Sequence, residues 1–352
     1  MSGIIVAPET RDLTELAAAL SAWLQPRLEG ASNISIVNLD YPRGAGMSHE
    51  TILFDVSWVQ GRARHERGCV LRIKPTGHQV FPDVFFEEQY QLMQTLHAHG
   101  QVRVAEPYWF EPDAAILGAP FFVMEKKHGR VPVSIPPYAE TGWVADATPA
   151  QRARMWENGV RQLAAVQSMP LSGLGFLRGA TPGAEDGLAQ EWDKYQRFIA
   201  WAADERFAPV FHAASARLEK LWPKNQPAGL VWGDARLGNM MFGDDFSVVA
   251  VMDWEQPSLG GALHDLAWWL TVSEAMHGAT PARARLAGMG TREETIALWH
   301  EITGIRTDDI EWYEDFTHLK LSCCSLTTAK LGRYPRPDPA ALARRMKVAA
   351  SA

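Results

Sequence analysis

Residues 230–242 read Leu-Val-Trp-Gly-Asp-Ala-Arg-Leu-Gly-Asn-Met-Met-Phe, and residues 248–255 read Val-Val-Ala-Val-Met-Asp-Trp-Glu. In both stretches an apolar run leads into polar residues, which places Asp234, Asn239 and Asp253 in turns anchored by short strands at 230–232 and 248–252. Between them, Gly243-Asp244-Asp245 needs no reading beyond a turn. Other motifs fail on inspection. Gly233 and Gly238 have phosphate-loop spacing, but Asn239 stands where the phosphate-binding lysine belongs. His65-Glu66 and His300-Glu301 lack a second histidine four positions after the first, and Gly46-Met47-Ser48 lacks the closing glycine of a nucleophile elbow.

Working outward, Leu13, Leu16, Ala17, Leu20, Trp23 and Leu24 recur at helical spacing, with Asp12 and Glu15 placed as a capping pair. The period falls toward two in residues 34–39, 51–58 and 69–73, with breaks at 42–48 and 60–62, predicting three short antiparallel strands. Residues 87–97 return to a helical pattern, and residues 121–124 form an apolar strand. Farther on, Thr148-Pro149 opens a helix, residues 178–187 read as a loop, and a helix surrounds Trp192, Tyr195 and Phe198. Thr291 and Glu294 form a capping box, and Asp338-Pro339 starts a last helix. The expected fold class is α+β: a small antiparallel-sheet unit over residues 1–127 and a mainly helical unit over residues 128–352.

A chain of 352 residues has room for about two domains. Its 47% apolar and 21% charged residues are ordinary globular usage and exclude a disordered or fibrous chain. With 34 basic and 41 acidic residues the net charge is −7, so no nucleic-acid partner is expected without a local basic patch. No run reaches the roughly 18 apolar residues of a membrane span, no basic-flanked leader begins the sequence, and Cys69, Cys323 and Cys324 make no disulfide framework. A cytoplasmic location without a membrane partner is the expectation.

The five-residue step from Asp234 to Asn239 equals that between base and metal ligand in the kinase catalytic loop, and Asp253 follows a Val-rich strand as the metal aspartate does there. Phosphoryl transfer needs those groups: a carboxylate to orient and deprotonate a hydroxyl, and oxygen ligands for magnesium on the ATP phosphates. At these residues the sequence resembles the aminoglycoside phosphotransferase and choline kinase family, small-molecule kinases of protein-kinase-like two-lobe fold. The blocks are LVWGDARLGNMMF, VVAVMDWE and LHDLAWWL, with GAPFFVMEKKHGR and the glycine loop before TILF upstream, covering most of residues 40–270.

Carried over by that resemblance, Asp234 is the base and Asn239 with Asp253 holds magnesium. Arg236, two residues beyond the base, steadies the transferring phosphoryl group or neutralises Asp234, or else is a plain surface arginine. Arg72 meets the ATP phosphates, with Lys74 on the same strand face as rival. Glu88 pairs that cation, with Glu87 as alternative and Gln89 close to the family's glutamate register. Gly46 and Ser48, with Gly44, lie in a turn that offers N–H groups to phosphate. The backbone of Glu125 and Lys127 meets adenine at the hinge. Trp232 departs from the histidine that many members carry two positions before the base, which implies altered packing, and Asp265 caps or braces the loop. The implied function is ATP- and magnesium-dependent phosphorylation of a small-molecule hydroxyl; the alternative is a nucleotide-binding regulatory module impaired in catalysis. For the acceptor, the acids Asp308, Asp309, Glu311, Glu314 and Asp315 and an apolar surface around Trp192, Tyr195 and Phe198 are the rival walls, and a mainly apolar pocket with only weak activity on aminoglycosides is the expectation.

Overall fold

Asp12 starts the first helix: its Oδ1 accepts the backbone N–H of Thr14 at 2.8 Å and of Glu15 at 3.1 Å, capping α1 (Leu13–Leu24). A computed structural model describes residues 11–42, 50–77, 79–179, 183–184, 186–281 and 283–349 of the chain. In α1 the apolar stripe Leu16, Leu20, Trp23 and Leu24 is buried against a five-stranded sheet. The strands are β1 (Ala31–Asp40), β2 (Glu50–Gln60), β3 (Ala63–Ile73), β4 (Pro107–Glu111) and β5 (Phe121–Glu125), all antiparallel, in the order β1-β2-β3-β5-β4. Ile52, Phe54 and Val56 of β2, Cys69, Leu71 and Ile73 of β3, and Phe121 and Val123 of β5 form the core with α1. Each such large side chain contributes about 1.5–3 kcal/mol through the area it removes from water. Strand alternation puts Arg72, which faces Thr51 and Phe122 across the ladder, on the opposite face of the sheet.

β4 is absent from the sequence reading. It begins at a proline, lies at the sheet edge, and lacks alternation. Tertiary bonds hold it: Glu111 accepts from Trp23 Nε1 at 2.7 Å and from Arg27 Nη2 at 2.6 Å. The other strands run longer than expected, since β2 and β3 pair over their whole lengths and close through Gly61, whose φ of 62° suits a tight hairpin.

The chain separates into two units, Met1–Val80 with Ala105–Lys127, and Phe81–Val104 with His128–Ala352. Residues 81–104, expected with the first unit, group with the second because the segments flanking α2 (Phe86–His99) are tied there. Asp83 pairs with Arg197 at 3.0 Å, Phe81 packs on Phe198, and the backbone of Arg103 bonds Gln162 and Val251.

A short helix, α3 (Ala114–Leu117), belongs to the first unit. The second unit adds α4 (Trp143–Asp146), α5 (Pro149–Gln167), α6 (Leu188–Ala202), α7 (Ala208–Lys220), α8 (Leu263–His277), α9 (Arg292–Thr303), α10 (Ile310–Lys330) and α11 (Pro339–Arg345). Thr148 with Gln151 and Thr291 with Glu294 form complete capping boxes, and Asp338 caps α11. The two-stranded piece differs from expectation. Residues 230–232 form no strand; Val231 makes a single bridge, to Ser258, with its N–H 2.8 Å from that carbonyl. The partner of β7 (Val248–Val251) is instead β6 (Met240–Phe242), the other arm of the hairpin turned at residues 243–247. Among the described residues no helix is long and apolar enough to cross a membrane, and the three cysteines are free thiols.

Candidate active site

The loop before Asp234 is shaped by one glycine and one buried acid. Gly233 has φ 101°, and a Cβ there would lie 2.5 Å from the Gln256 carbonyl oxygen, so only glycine fits. Asp265, in the first turn of α8, accepts the N–H of Trp232 at 2.6 Å, the N–H of Gly233 at 2.9 Å and the amide of Gln167 at 2.8 Å. Burial pushes its carboxyl up to about 6, with the two backbone donors acting against that rise. Asp265 is therefore the brace that the sequence implied. Beneath the loop, Leu237 packs where α5 carries Gly159; a Cβ at Gly159 would lie 2.9 Å from Leu237 and 2.8 Å from Trp269.

Asp234 receives three donors. Arg236 Nε spans its oxygens at 2.9 and 3.1 Å, Trp268 Nε1 reaches Oδ1 at 2.8 Å, and Asn239 Nδ2 reaches Oδ2 at 2.7 Å. Arg236 Nη1 in turn donates to Ser134 Oγ at 2.7 Å. Burial works against the Arg236 charge, but the Asp234 carboxylate, with Asp253 also near, more than offsets it and keeps the guanidinium firmly protonated.

Asn239 is buried and spends its amide N–H groups on Asp234, so its side-chain oxygen is the end left for a cation. The backbone joins it to the second acid: Met252 N–H donates to the Asn239 carbonyl at 2.9 Å, and Asp253 follows at φ 64°. Trp232, fully buried, donates its indole N–H to the carbonyls of Met252 at 2.9 Å and Asp253 at 3.2 Å. The tryptophan thus supports the backbone of the acid segment, which its apolar bulk alone did not suggest. Among the described residues no group of three His, Cys, Asp or Glu side chains stands ready to cage an ion. One carboxylate and one amide oxygen instead fit a hard divalent cation that takes its remaining ligands from water and phosphate.

The other candidates lie as follows. Arg72 is half-buried on β3. Glu125 ends β5, its N–H taken by the Glu106 carbonyl at 2.9 Å and its carboxylate by Lys127 at 2.7 Å. In the first turn of α2, Glu87 is exposed, Glu88 half-buried and Gln89 buried at 1% exposure. Gly44, Gly46 and Ser48 lie outside the described residues. Two contacts of this loop were missed, those of Trp268 with Asp234 and of Ser134 with Arg236. Trp268 stood inside the LHDLAWWL block without a role, and nothing in the sequence singles out Ser134.

Residues 50–303 match the model of the phosphotransferase enzyme family. The chain belongs to that family. Human acyl-CoA dehydrogenase family member 11 is 28% identical over 256 residues, covering 69% of this chain and 30% of that protein. The chain spans about a third of the length of the curated relatives it matches, so their names describe far longer proteins. A Ralstonia eutropha protein named for the aminoglycoside phosphotransferases shares the fold with a TM-score of 0.68, 22% identity and 94% coverage of both chains. An amicoumacin kinase solved with AMP-PNP and calcium shares it with a TM-score of 0.56 and 15% identity, over 95% of this chain and 94% of that one. This phosphotransferase-family chain has the α+β, protein-kinase-like fold that those structures share.

Neither expected acceptor wall is free in this phosphotransferase-family protein. Tyr195 and Phe198 are buried, and Trp192 packs against Trp222, Trp312 and Phe316. Glu311, Glu314 and Asp315 do line a cleft of about 450 Å³ between α8, α9 and α10. Each acid nevertheless has a partner: Arg292 for Glu314 at 2.7 Å and Glu311 at 3.4 Å, and Arg217 for Asp315 at 2.7 Å. Asp308 pairs with Arg306, and Asp309 accepts the N–H groups of Lys224 and Asn225.

Proposed function

We propose that this chain transfers the γ-phosphoryl group of ATP to a hydroxyl of a small molecule, with Asp234 as the base. The observation that carries the reading is the single hydrogen-bonded unit of Asp234, Arg236 and Asn239, joined through Met252 to Asp253. Asp234 orients the acceptor hydroxyl and takes its proton as the oxygen attacks phosphorus. Asn239 and Asp253 would hold magnesium, which would supply positive charge to offset that of the phosphate groups. Arg236, already charged and partly exposed, leaves the two oxygens of Asp234 for the phosphoryl oxygens as they gain charge.

For the nucleotide, the resemblance assigns Arg72 to the phosphates and the backbone of Glu125 and Lys127 to adenine. The amicoumacin kinase complex with AMP-PNP and calcium supports nucleotide and divalent-metal use in this fold. The paired state of the acids at 308–315 favours an uncharged acceptor over a polycationic amino sugar.

The test is magnesium-dependent ATP turnover over a panel of hydroxyl compounds, with wild type and Asp234→Asn side by side. Turnover lost in the variant is expected; equal turnover removes Asp234 from the mechanism. ATP binding by calorimetry completes it. Asp253→Ala should lose the magnesium-dependent part of binding while Asp234→Ala retains it, and Arg72→Ala should weaken ATP more than Lys74→Ala. Nucleotide binding without transfer to any acceptor, water included, would replace this reading with a regulatory module.

A further inference from the structure

We infer that Trp268 is a positioning residue for the Asp234 carboxylate, holding the base in its working orientation when Arg236 turns to the phosphoryl group. The inference rests on the reading of Asp234 as base and goes beyond it. A carboxylate offers about four lone-pair directions. Trp268 Nε1 fills one on Oδ1, Asn239 Nδ2 fills one on Oδ2, and Arg236 Nε lies across the remaining side.

The three donors differ in how readily they let go. Arg236 is a long side chain, about a quarter exposed, and it divides its guanidinium between Asp234 and Ser134. Trp268 is 7% exposed and has only two side-chain torsions, so its N–H is fixed by the position of α8. That helix is itself fastened to the loop. Asp265, three residues earlier and therefore on the same helical face, binds the N–H groups of Trp232 and Gly233 just ahead of Asp234. One helix thus sets both the backbone leading to the base and the plane of its carboxylate. With Arg236 withdrawn, each oxygen keeps one fixed donor and opens one lone pair to the acceptor hydroxyl.

The test uses the 352-residue chain with Mg-ATP and water as acceptor, comparing wild type, Trp268→Phe, Asp234→Ala and the double variant. Trp268→Phe keeps a buried ring and removes the donor. It should lower kcat on the order of tenfold with KM for Mg-ATP unchanged, and it should cause no further loss when added to Asp234→Ala. A Trp268→Phe enzyme with wild-type kcat beside an inactive Asp234→Ala enzyme overturns the positioning role and leaves the base standing. So does a Trp268→Phe loss that persists undiminished on top of Asp234→Ala, because a general structural defect does not depend on the base. An active Asp234→Ala enzyme overturns both readings. A measurement that needs no Trp268 variant stands beside these: the Trp268 indole proton resonance of the native protein should move upfield in Asp234→Ala, and an unmoved resonance overturns the bond.

Discussion

Asp265 accepts the backbone N–H of Trp232 at 2.6 Å across 33 residues of sequence, and through that bond a helix decides the direction in which Asp234 leaves its loop. The arrangement carries an energetic cost. The Asp265 carboxyl is raised to about 6 from an ordinary 3.8, chiefly by burial. A group raised on folding contributes stability that is fully present below about pH 3.8 and lost as pH rises through about 6. The wild type should therefore lose stability over this window relative to Asp265→Asn, whose amide does not titrate. Urea unfolding of both proteins at pH 4 and pH 7 measures it. The same variant should lose activity at pH 7, since an amide turns an N–H toward one of the two loop donors.

Gly233→Ala should disable the loop while leaving the rest of the unit folded. The residue sits at φ 101° and its new Cβ would meet the Gln256 carbonyl at 2.5 Å. Strain of about 1–3 kcal/mol is expected, with a turnover loss on the order of 100-fold from the displaced carboxylate. Unfolding midpoints and ATP turnover separate the two effects, and near-native turnover would contradict the loop geometry.

A buried charge group behind the loop should be more sensitive to one substitution than any surface pair. Glu191 accepts Lys320 at 2.7 Å and Ser258 at 2.6 Å, while Lys194 donates to the Gln256 carbonyl at 3.0 Å. Burial alone would raise the Glu191 carboxyl, but the two ammonium groups more than offset it and hold it well below the usual carboxylate range. Glu191→Gln leaves two buried cations without a counter-charge and should cost about 3–5 kcal/mol at pH 7. Calorimetric unfolding checks this; a loss below about 1 kcal/mol would mean that water reaches the lysines.

His277 should make the protein acid-labile. Its ring is fully buried, its Nδ1 lies 2.7 Å from the Tyr138 hydroxyl, and burial lowers it from 6.5 to about 3, with Arg285 and Arg283 adding to the shift. A group depressed on folding contributes stability that is present above about pH 6.5 and lost as pH falls toward 3. Between pH 7 and pH 5 that loss is about 2 kcal/mol. His277→Gln should lack this component, so the gap between variant and wild type should narrow on acidification.

Much of the fold is legible because local signals agree with tertiary packing. Asp12, Thr148, Thr291 and Asp338 mark helix starts by a side chain that bonds N–H groups two or three residues ahead, an interaction needing no distant partner. The reading fails where a segment is stabilised from afar. β4 depends on Trp23 and Arg27 for its place, and residues 230–232, apolar enough for a strand, are held by one bridge and by Asp265. Acids near a helix start look free in sequence, yet Arg292 and Arg217 arrive from other helices to meet Glu314 and Asp315.

The sequence by itself determined the chemical inventory of the loop: Asp234, Arg236 and Asn239 lie within six residues, so turn conformation alone keeps their side chains in reach of one another. Only the tertiary structure decided how that inventory is aimed. Trp268 lies 34 residues from Asp234 and Ser134 lies 102 from Arg236, separations over which spacing carries no geometric information. Their bonds exist because α8 is packed against the loop through Asp265, and because the segment holding Ser134 passes beside Arg236. Hydrogen bonds of a few ångströms are set by such packing, which depends on where whole elements come to rest rather than on the residues adjacent in the chain.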